Sequence, residues 1–316
     1  MEYAVTLINN KTAPYGQLFP GKSIGLLILN SCDQPLLAQY KLLSILNNGL
    51  LLDNNTSVNV KGKLIGIAGP YSSSISVAVS DVLSKFGYVQ VAYASTAVDL
   101  SDRNKYPYFT RVSTPDNRQT QAMMRIIKHS KYYSEYIQFV YSKGTYGEAG
   151  RDALRQEAIK AEVCIAQEIE VDDGENFNLI KEKLRKYPFA KIVILFLRSH
   201  QVEPITSALN DIEYGEFLFI GSEAWGFRPN EFSNKPKLVG SIILALQLPT
   251  NNNFTNYLRN KDVLTDKSNP WLLEYIAAKY NCHVDTSFDK TFTSSCGSNL
   301  KLASSSTYEQ EIWICA

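Results

Sequence analysis

Small hydroxyl residues follow two apolar runs of this chain, at the points where the runs end. Residues Gly69–Ser74 follow the run Leu64–Ala68, and Tyr93–Thr96 close the next apolar run. A helical pattern lies between them, so we predict a strand–helix–strand unit, whose strand carboxyl ends form the ligand-binding edge of a parallel sheet. Ser73 and Ser74 also open the helix, where free N–H groups attract an anion such as a carboxylate. Simple caps and turns would explain either segment alone, but the pair favours a site.

An acid and an aromatic residue further along the chain could complete such a site. A free α-amino acid carries a carboxylate and an ammonium, and burying both requires donors beside an acid. Ser73 and Thr96 suit the carboxylate. Asp116, at a predicted strand-to-helix step, can accept from the ammonium, and Tyr146 can offer its ring face to the same cation. A helix cap at Asp116 and a surface aromatic at Tyr146 remain the alternatives.

Size and charge limit the class of protein. The chain has 316 residues, 45% of them hydrophobic, which is enough for one large or two medium domains. The formal net charge is +1 and there is no basic stripe, which argues against a nucleic-acid partner. The longest apolar runs are too short to span a bilayer. The first ten residues lack a signal-type core and predict an amphipathic helix that the sequence enters partway through.

Apolar runs alternate with helical patterns along the chain. The predicted strands are Leu64–Ala68, Val89–Tyr93, Tyr136–Tyr141, Val163–Ile169, Lys191–Leu197, Phe217–Ile220 and Leu238–Leu246. The predicted helices are Pro115–Ser130, Gly147–Ala161, Phe177–Tyr187 and His200–Ile212. This alternation predicts an α/β protein with doubly wound parallel sheets, and the number of strands favours two lobes. The turn-rich segment Pro249–Asn253 predicts a crossing between the lobes.

Ordered motifs along nearly the whole chain resemble the extracellular ligand-binding region of metabotropic glutamate receptors, a family of class C G-protein-coupled receptors. They are Ser73, Tyr93–Asp102, Tyr106–Val112, Lys143–Gly150, Gly221–Trp225, Asn269–Trp271 and Ser306–Glu311. The resemblance implies a bilobed clamshell of the type I periplasmic-binding-protein kind. Residues 1–111 and 250–316 would form the first lobe and residues 112–249 the second. The chain would cross between them near Arg111–Asp116 and Leu246–Thr250.

The resemblance also implies which residues contact an amino-acid ligand. They are Ser73, Ala94, Ser95, Thr96, Asp116, Tyr146 and Glu223, with the Ala94 carbonyl accepting from the ammonium. Glu223 stands in Gly221–Trp225 where glutamate receptors place an aspartate, and this detail resembles the calcium-sensing receptor branch. The carboxylate still faces the ammonium but projects one methylene further, so the resemblance implies amino-acid binding but not selectivity for glutamate. A solvated loop acid is the alternative for Glu223.

The five cysteines are interpreted through the same resemblance. It implies that Cys282 and Cys296 form a local disulfide. It also implies that Cys32 and Cys164 have partners outside this chain, and it offers no counterpart for Cys315. Five reduced, buried thiols remain the alternative from the cysteine count alone.

The full-length receptor would lie in the plasma membrane, with this region on the extracellular side. Acceptor tripeptides at Asn10, Asn55 and Asn253 are compatible with secretion. The resemblance implies a chain truncated at both ends, without the cysteine-rich and seven-transmembrane regions through which a G protein would couple. It also implies a homodimer through the helix that begins near Ser73 in the first lobe. Val79, Val82 and Phe86 would then form an exposed apolar patch on that helix. A secreted or non-functional receptor fragment and a related solute-binding protein remain the alternatives.

An enzyme is poorly supported by the sequence. There is no Gly-x-Ser-x-Gly elbow, Walker loop, His-Glu-x-x-His or Cys-x-x-Cys motif. The histidines His129, His200 and His283 stand in polar or helix-end contexts. We therefore predict a binding module without a cofactor or a metal.

Overall fold

A computed structural model describes residues 1–47, 50–51, 57–58, 62–129, 134–226, 234–245, 251–261, 269, 271–283, 294–297, 300 and 302. The chain divides into two compact units, one of residues 1–29 with 248–316 and the other of residues 30–247. All the predicted ligand-contacting residues belong to the second unit.

The helices and strands alternate through the second unit. The helices of the chain are α1 (Glu2–Asn9), α2 (Pro35–Leu46), α3 (Ser73–Phe86), α4 (Asp116–His129), α5 (Thr145–Lys160), α6 (Leu179–Leu184), α7 (Ser199–Leu209), α8 (Asn252–Asn260) and α9 (Leu272–Tyr280). The strands are β1 (Leu50–Leu51), β2 (Ser57–Val58), β3 (Ile67–Ala68), β4 (Gln90–Ala92), β5 (Phe109–Arg111), β6 (Tyr136–Ser142), β7 (Cys164–Val171), β8 (Ile192–Phe196), β9 (Leu218–Gly221) and β10 (Ile242–Ile243). Short 3-10 turns include Val98–Ser101 and Glu223–Trp225.

Two parallel sheets carry the predicted site. The small sheet has the order β3-β4-β5, and the large sheet has the order β10-β9-β8-β6-β7. Every pairing in both sheets is parallel. The strands β1 and β2 pair with each other and are antiparallel. These sheets confirm the predicted α/β class.

Burial on both faces explains why the large sheet could be predicted from apolar runs. All five residues of β8 are buried, as a central parallel strand requires. Ile194 and Phe196 pack with α4 and α5 on one face. Val193 and Leu195 pack with α6 and α7 on the other face. The alternation follows the two-residue period of a strand, so the helices cover both faces of the sheet.

Two glycines let α5 begin against the carboxyl ends of the strands. A Cβ on Gly147 would lie 1.8 Å from the Ser142 carbonyl oxygen, and one on Gly150 would lie 2.4 Å from the Phe196 ring. No side chain fits at such separations, so only glycine permits this approach. The approach fixes the start of α5, and therefore Tyr146, beside the ends of β6 and β8.

Several elements differ from the sequence predictions. The sequence patterns did not predict α2, α8, α9 or the three-residue strand β5, and they extended the first and last predicted strands beyond β3 and β10. The predicted turn at Pro249–Asn253 is in part a helix start, because Asn251 caps α8 by accepting from the Phe254 N–H at 3.0 Å. The predicted crossing at Leu246–Thr250 lies outside the described residues. The amphipathic helix predicted for the first ten residues is confirmed as α1.

The prediction that Val79 is exposed is wrong. It packs against Leu42 and Leu83, because α2 covers that face of α3. Val82 is half-buried, while Phe86 is 55% exposed. The apolar surface of α3 is therefore smaller than the sequence predicted.

A disulfide joins Cys282 and Cys296, with their Cα atoms 5.0 Å apart, in agreement with the pairing that the resemblance implies. Cys32 and Cys164 are free and exposed, unlike the buried thiols of the alternative interpretation. Of the glycosylation candidates, Asn10 and Asn253 are exposed. Asn55, Cys315 and the motif Ser306–Glu311 lie outside the described residues. Within the described part of the chain, no helix is both long and apolar enough to cross a membrane.

Candidate functional site

The ends of both parallel sheets supply the side chains of the candidate site. Ser73 begins α3 just after β3, and Thr96 follows β4. Asp116 is the first residue of α4, Tyr146 is the second of α5, and Glu223 follows β9. In sequence these residues span about 150 positions. In the structure, Thr96, Asp116, Tyr146 and Glu223 join one network.

Glu223 lies at the centre of that network. Its Oε1 accepts from the Tyr146 hydroxyl at 3.0 Å and, more weakly, from the Thr96 hydroxyl at 3.5 Å. The Tyr146 hydroxyl also lies 3.1 Å from the Ser222 hydroxyl. Glu223 is half-buried, so it is not the solvated loop acid of the alternative interpretation.

The backbone before Glu223 is rigidly seated. A Cβ on Gly221 would lie 2.2 Å from the ring of Trp225, which is fully buried. The ring therefore packs directly on the end of β9. This contact fixes the turn from which the Glu223 side chain projects.

Gln119 is a member of the network that sequence reasoning missed. Its Nε2 donates to Oε2 of Glu223 and, at 3.3 Å, to Oδ1 of Asp116. Its Oε1 accepts from the Glu223 N–H at 2.6 Å. Gln119 stands three positions after Asp116 on α4, and residues at that spacing share a helix face. This spacing is the sequence signal that could have identified it.

Asp116 is fully buried, yet one of its carboxylate oxygens is unused. Its backbone N–H donates to the Thr96 carbonyl at 3.0 Å, and Gln119 donates to Oδ1. Its Oδ2 has no hydrogen-bond partner among the described residues. A buried carboxylate oxygen without a donor is costly, so this atom marks a place where a donor would be stabilising.

Burial and like charge perturb the ionisation of this cluster. Burial is the largest cause that raises the pKa of Asp116 well above its usual value, and the Glu223 charge is the next. The nearby Thr96 hydroxyl, the Gln119 amide and the Arg111 charge act in the opposite direction. Burial also raises the pKa of Glu223. Burial and the two carboxylates raise the pKa of Tyr146, which therefore stays a neutral donor. The two acids favour a shared proton or a bound cation.

The hydroxyl residues at the edge of the small sheet have different surroundings. Ser73 accepts from the Ala97 N–H at 3.2 Å. Ser95 lies 2.7 Å from the Ser76 hydroxyl and donates to the Tyr71 carbonyl at 2.9 Å. Ser95 therefore ties the loop after β3 to the loop after β4.

Ala94 is half-buried between the small-sheet strand β4 and Ser95. The loop that carries it is held by Arg111, which donates to the carbonyls of Ser95 at 3.1 Å and Ala97 at 2.8 Å. Burial lowers the pKa of Arg111. The loop is thus fixed in place next to Thr96.

The arrangement has the chemistry to accept a cationic ligand group. Carboxylates of Asp116 and Glu223 lie together, with hydroxyl donors on the adjoining strand end. Across the described ranges, no group of three or more histidine, cysteine, aspartate or glutamate side chains could hold a metal ion. An ammonium can donate to several carboxylate oxygens at once.

Known proteins resemble this chain over most of its length. Residues 1–289 match the family described as the receptor family ligand binding region. The chain is 29% identical to metabotropic glutamate receptor 6 of Mus musculus, of Rattus norvegicus and of Oryctolagus cuniculus. Each alignment covers 98% of this chain and 38% of the relative. The chain therefore spans well under half the length of these curated relatives.

Proposed function

Because the chain belongs to the receptor family ligand binding region family, we propose that it binds a free α-amino acid as the sensor of a class C G-protein-coupled receptor. The observation that carries this proposal is the buried Asp116 carboxylate, whose Oδ2 has no donor among the described residues. Glu223 stands beside it. An ammonium inserted there supplies the missing donor and offsets the repulsion between the acids.

The ligand's ammonium is assigned to Asp116, Glu223 and Tyr146. The Tyr146 ring adds an electron-rich face for the cation. The Ala94 carbonyl is a further acceptor. These groups supply charge compensation that a buried ammonium requires.

The ligand's carboxylate is assigned to Ser73, Thr96 and the free N–H groups that begin α3. The Thr96 hydroxyl is only weakly engaged with Glu223, at 3.5 Å. It can therefore turn toward a ligand oxygen at little cost. Ser95 supports the same loop from behind. The dipole of α3 favours an anion at this end.

This division of donors and acceptors would couple binding to movement of the lobes. Residues 1–111 and 250–316 are proposed as the first lobe, carrying the carboxylate donors, and residues 112–249 as the second, carrying the ammonium acceptors. One ligand contacts both sets, so it stabilises the closed arrangement of the lobes over the open one.

The remaining functions belong to the full-length receptor. We propose that it lies in the plasma membrane with this region outside, forms a homodimer through the exposed side of α3 near Phe86, and contacts a G protein through membrane-spanning regions. The name of the relatives supports glutamate or a similar amino acid. Because the Glu223 side chain is one methylene longer than an aspartate, the preferred amino acid of this chain could differ from glutamate.

Calorimetry with a panel of amino acids tests the assignment. Thr96→Val and Asp116→Asn should each weaken binding by roughly 1–3 kcal/mol, the cost of an unpaired buried polar group. Thr114→Val and Asp81→Asn are matched controls, because both native side chains are exposed. Unchanged affinity in both site variants would overturn the assignment.

A further inference from the structure

The side chain of Gln119 stands between the two acids of the site. It donates to a carboxylate oxygen of each acid and accepts from the Glu223 backbone, so all its polar atoms face this cluster. Its backbone belongs to α4, one turn after Asp116. It therefore links the start of α4 to the turn after β9.

The hydrogen bonds to Glu223 and Asp116 engage three of their four carboxylate oxygens. On Glu223, Oε2 accepts from Gln119, and Oε1 accepts from Tyr146 and Thr96. On Asp116, Oδ1 accepts from Gln119, while Oδ2 has no partner among the described residues. The Gln119 amide thus donates to Oδ1 of Asp116 and leaves Oδ2 of the same carboxylate without a donor among the described residues.

We propose that Gln119 is a positioning residue that holds the two carboxylates side by side and leaves Oδ2 of Asp116 as the acceptor for the ligand's ammonium. The identity of the ligand rests on the proposed function, but the role of Gln119 toward the acids does not. Two like charges in a buried site repel each other, and an amide that donates to both lowers that repulsion.

The other charged or titratable groups that face Asp116 come from three elements. Glu223 follows β9 and raises the pKa of Asp116, whereas Arg111 at the end of β5 lowers it. Tyr146 of α5 stays neutral because its own pKa is raised. Loss of the Gln119 amide therefore leaves Glu223 less compensated, and Asp116 should keep its proton to higher pH.

Titration of the ligand-free chain tests this role directly. The carboxyl carbon of Asp116 would be followed by NMR in the native chain, Gln119→Met, Glu223→Gln and the double variant. We expect Gln119→Met to move the midpoint of the Asp116 titration to higher pH. In the Glu223→Gln background, where residue 223 carries no charge, the same substitution should move that midpoint far less. Gln121→Met, at a half-buried position on the same helix, is the control and should leave it unchanged.

An unmoved midpoint in Gln119→Met would overturn the proposal, as would the same shift in the Glu223→Gln background. If Gln119→Met does not fold, Gln119→Asn is the second variant. It keeps a polar amide but is one methylene too short to reach both acids, and the same direction is expected.

Ligand binding gives a second, independent measurement. With an amino acid that the native chain binds, Gln119→Met should bind about tenfold more weakly at neutral pH, the effect of losing a hydrogen bond to a charged group. The loss should shrink once the pH exceeds the titration midpoint measured for Asp116 in the variant. A loss that is the same at every pH would indicate a purely structural role and refute the proposal. If the native chain binds no amino acid, the proposed function fails, while the titration still decides the role of Gln119.

Discussion

Replacing Asp116 with asparagine should stabilise the ligand-free chain at neutral pH, although it removes a residue proposed to bind the ligand. The carboxyl is fully buried, lies beside Glu223 and has one oxygen without a partner among the described residues. Its ionised form is therefore disfavoured in the folded state. Asparagine has nearly the same shape and carries no charge.

The sign of the pH dependence follows from the raised pKa of Asp116. Between the unfolded pKa and the folded pKa, the unfolded carboxyl is ionised while the folded one holds its proton. Folding then takes up a proton, so the free energy of unfolding falls as the pH rises. The slope is about 1.4 kcal/mol for each pH unit within that window.

Asparagine removes this slope but introduces a different cost. Its Oδ1 can still accept from Gln119, whereas its amide N–H group replaces Oδ2 and is left without an acceptor, at about 1–3 kcal/mol. At acidic pH, where the native carboxyl is protonated in both states, the variant should therefore be no more stable than the native chain. As the pH rises toward neutrality, the raised pKa of Asp116 makes the native chain lose stability, so the variant should become the more stable of the two.

Urea unfolding over a series of pH values measures the difference. The native and Asp116→Asn chains should show similar m-values and a stability difference that grows as the pH rises. Asp81→Asn, at an exposed position, should follow the native curve. At the same concentration, an amino-acid ligand should then raise the midpoint of the native chain more than that of Asp116→Asn. A variant that is less stable at neutral pH, or a difference that does not change with pH, would refute the reasoning.

Two further predictions concern packing and assembly. Gly150→Ala places a Cβ 2.4 Å from the Phe196 ring and should lower the free energy of unfolding, measured in urea, by about 1–3 kcal/mol. Gly25→Ala is the control, because no heavy atom lies within 4 Å of the added Cβ. Equal stability of the two variants would contradict the packing argument. Phe86→Glu should lower the dimer fraction in sedimentation experiments, because it places a charge on the proposed dimer surface. Ile159→Glu changes a residue that is 78% exposed on α5 and should leave the dimer fraction unchanged, and a dimer that tolerates Phe86→Glu would exclude that surface.

Long buried strands could be predicted from the sequence because a strand that is buried on both faces of a sheet consists of a continuous apolar run. β6 and β8 show this clearly. The strand β5 was not predicted, since only its first residue, Phe109, is buried, and the polar Thr110 and Arg111 that follow leave no apolar run. The error at Val79 has a related cause: the face of α3 that is covered depends on α2, which the sequence patterns did not identify.

The candidate site was predictable where residue type and strand position coincide, as for Thr96 and Asp116. Glu223 was identified through the resemblance of its motif rather than from its own surroundings. Gln119 was missed because its spacing from Asp116 places it on the same helix face but does not by itself indicate a contact with Glu223. Its role depends on the turn after β9, more than a hundred residues away along the chain.

The packing of Trp225 on Gly221 has a consequence for how this site could change during evolution. The turn is held by the indole ring, so the position of the Cα of residue 223 is set independently of the side chain it carries. Exchange of glutamate for aspartate would withdraw the carboxylate by roughly one carbon–carbon bond, about 1.5 Å, without moving the backbone. The codons of these two amino acids differ only in the third base. A single nucleotide change could therefore shift the position of the carboxylate while the backbone stays in place. Ligand preference could then diverge between related genes without loss of the fold.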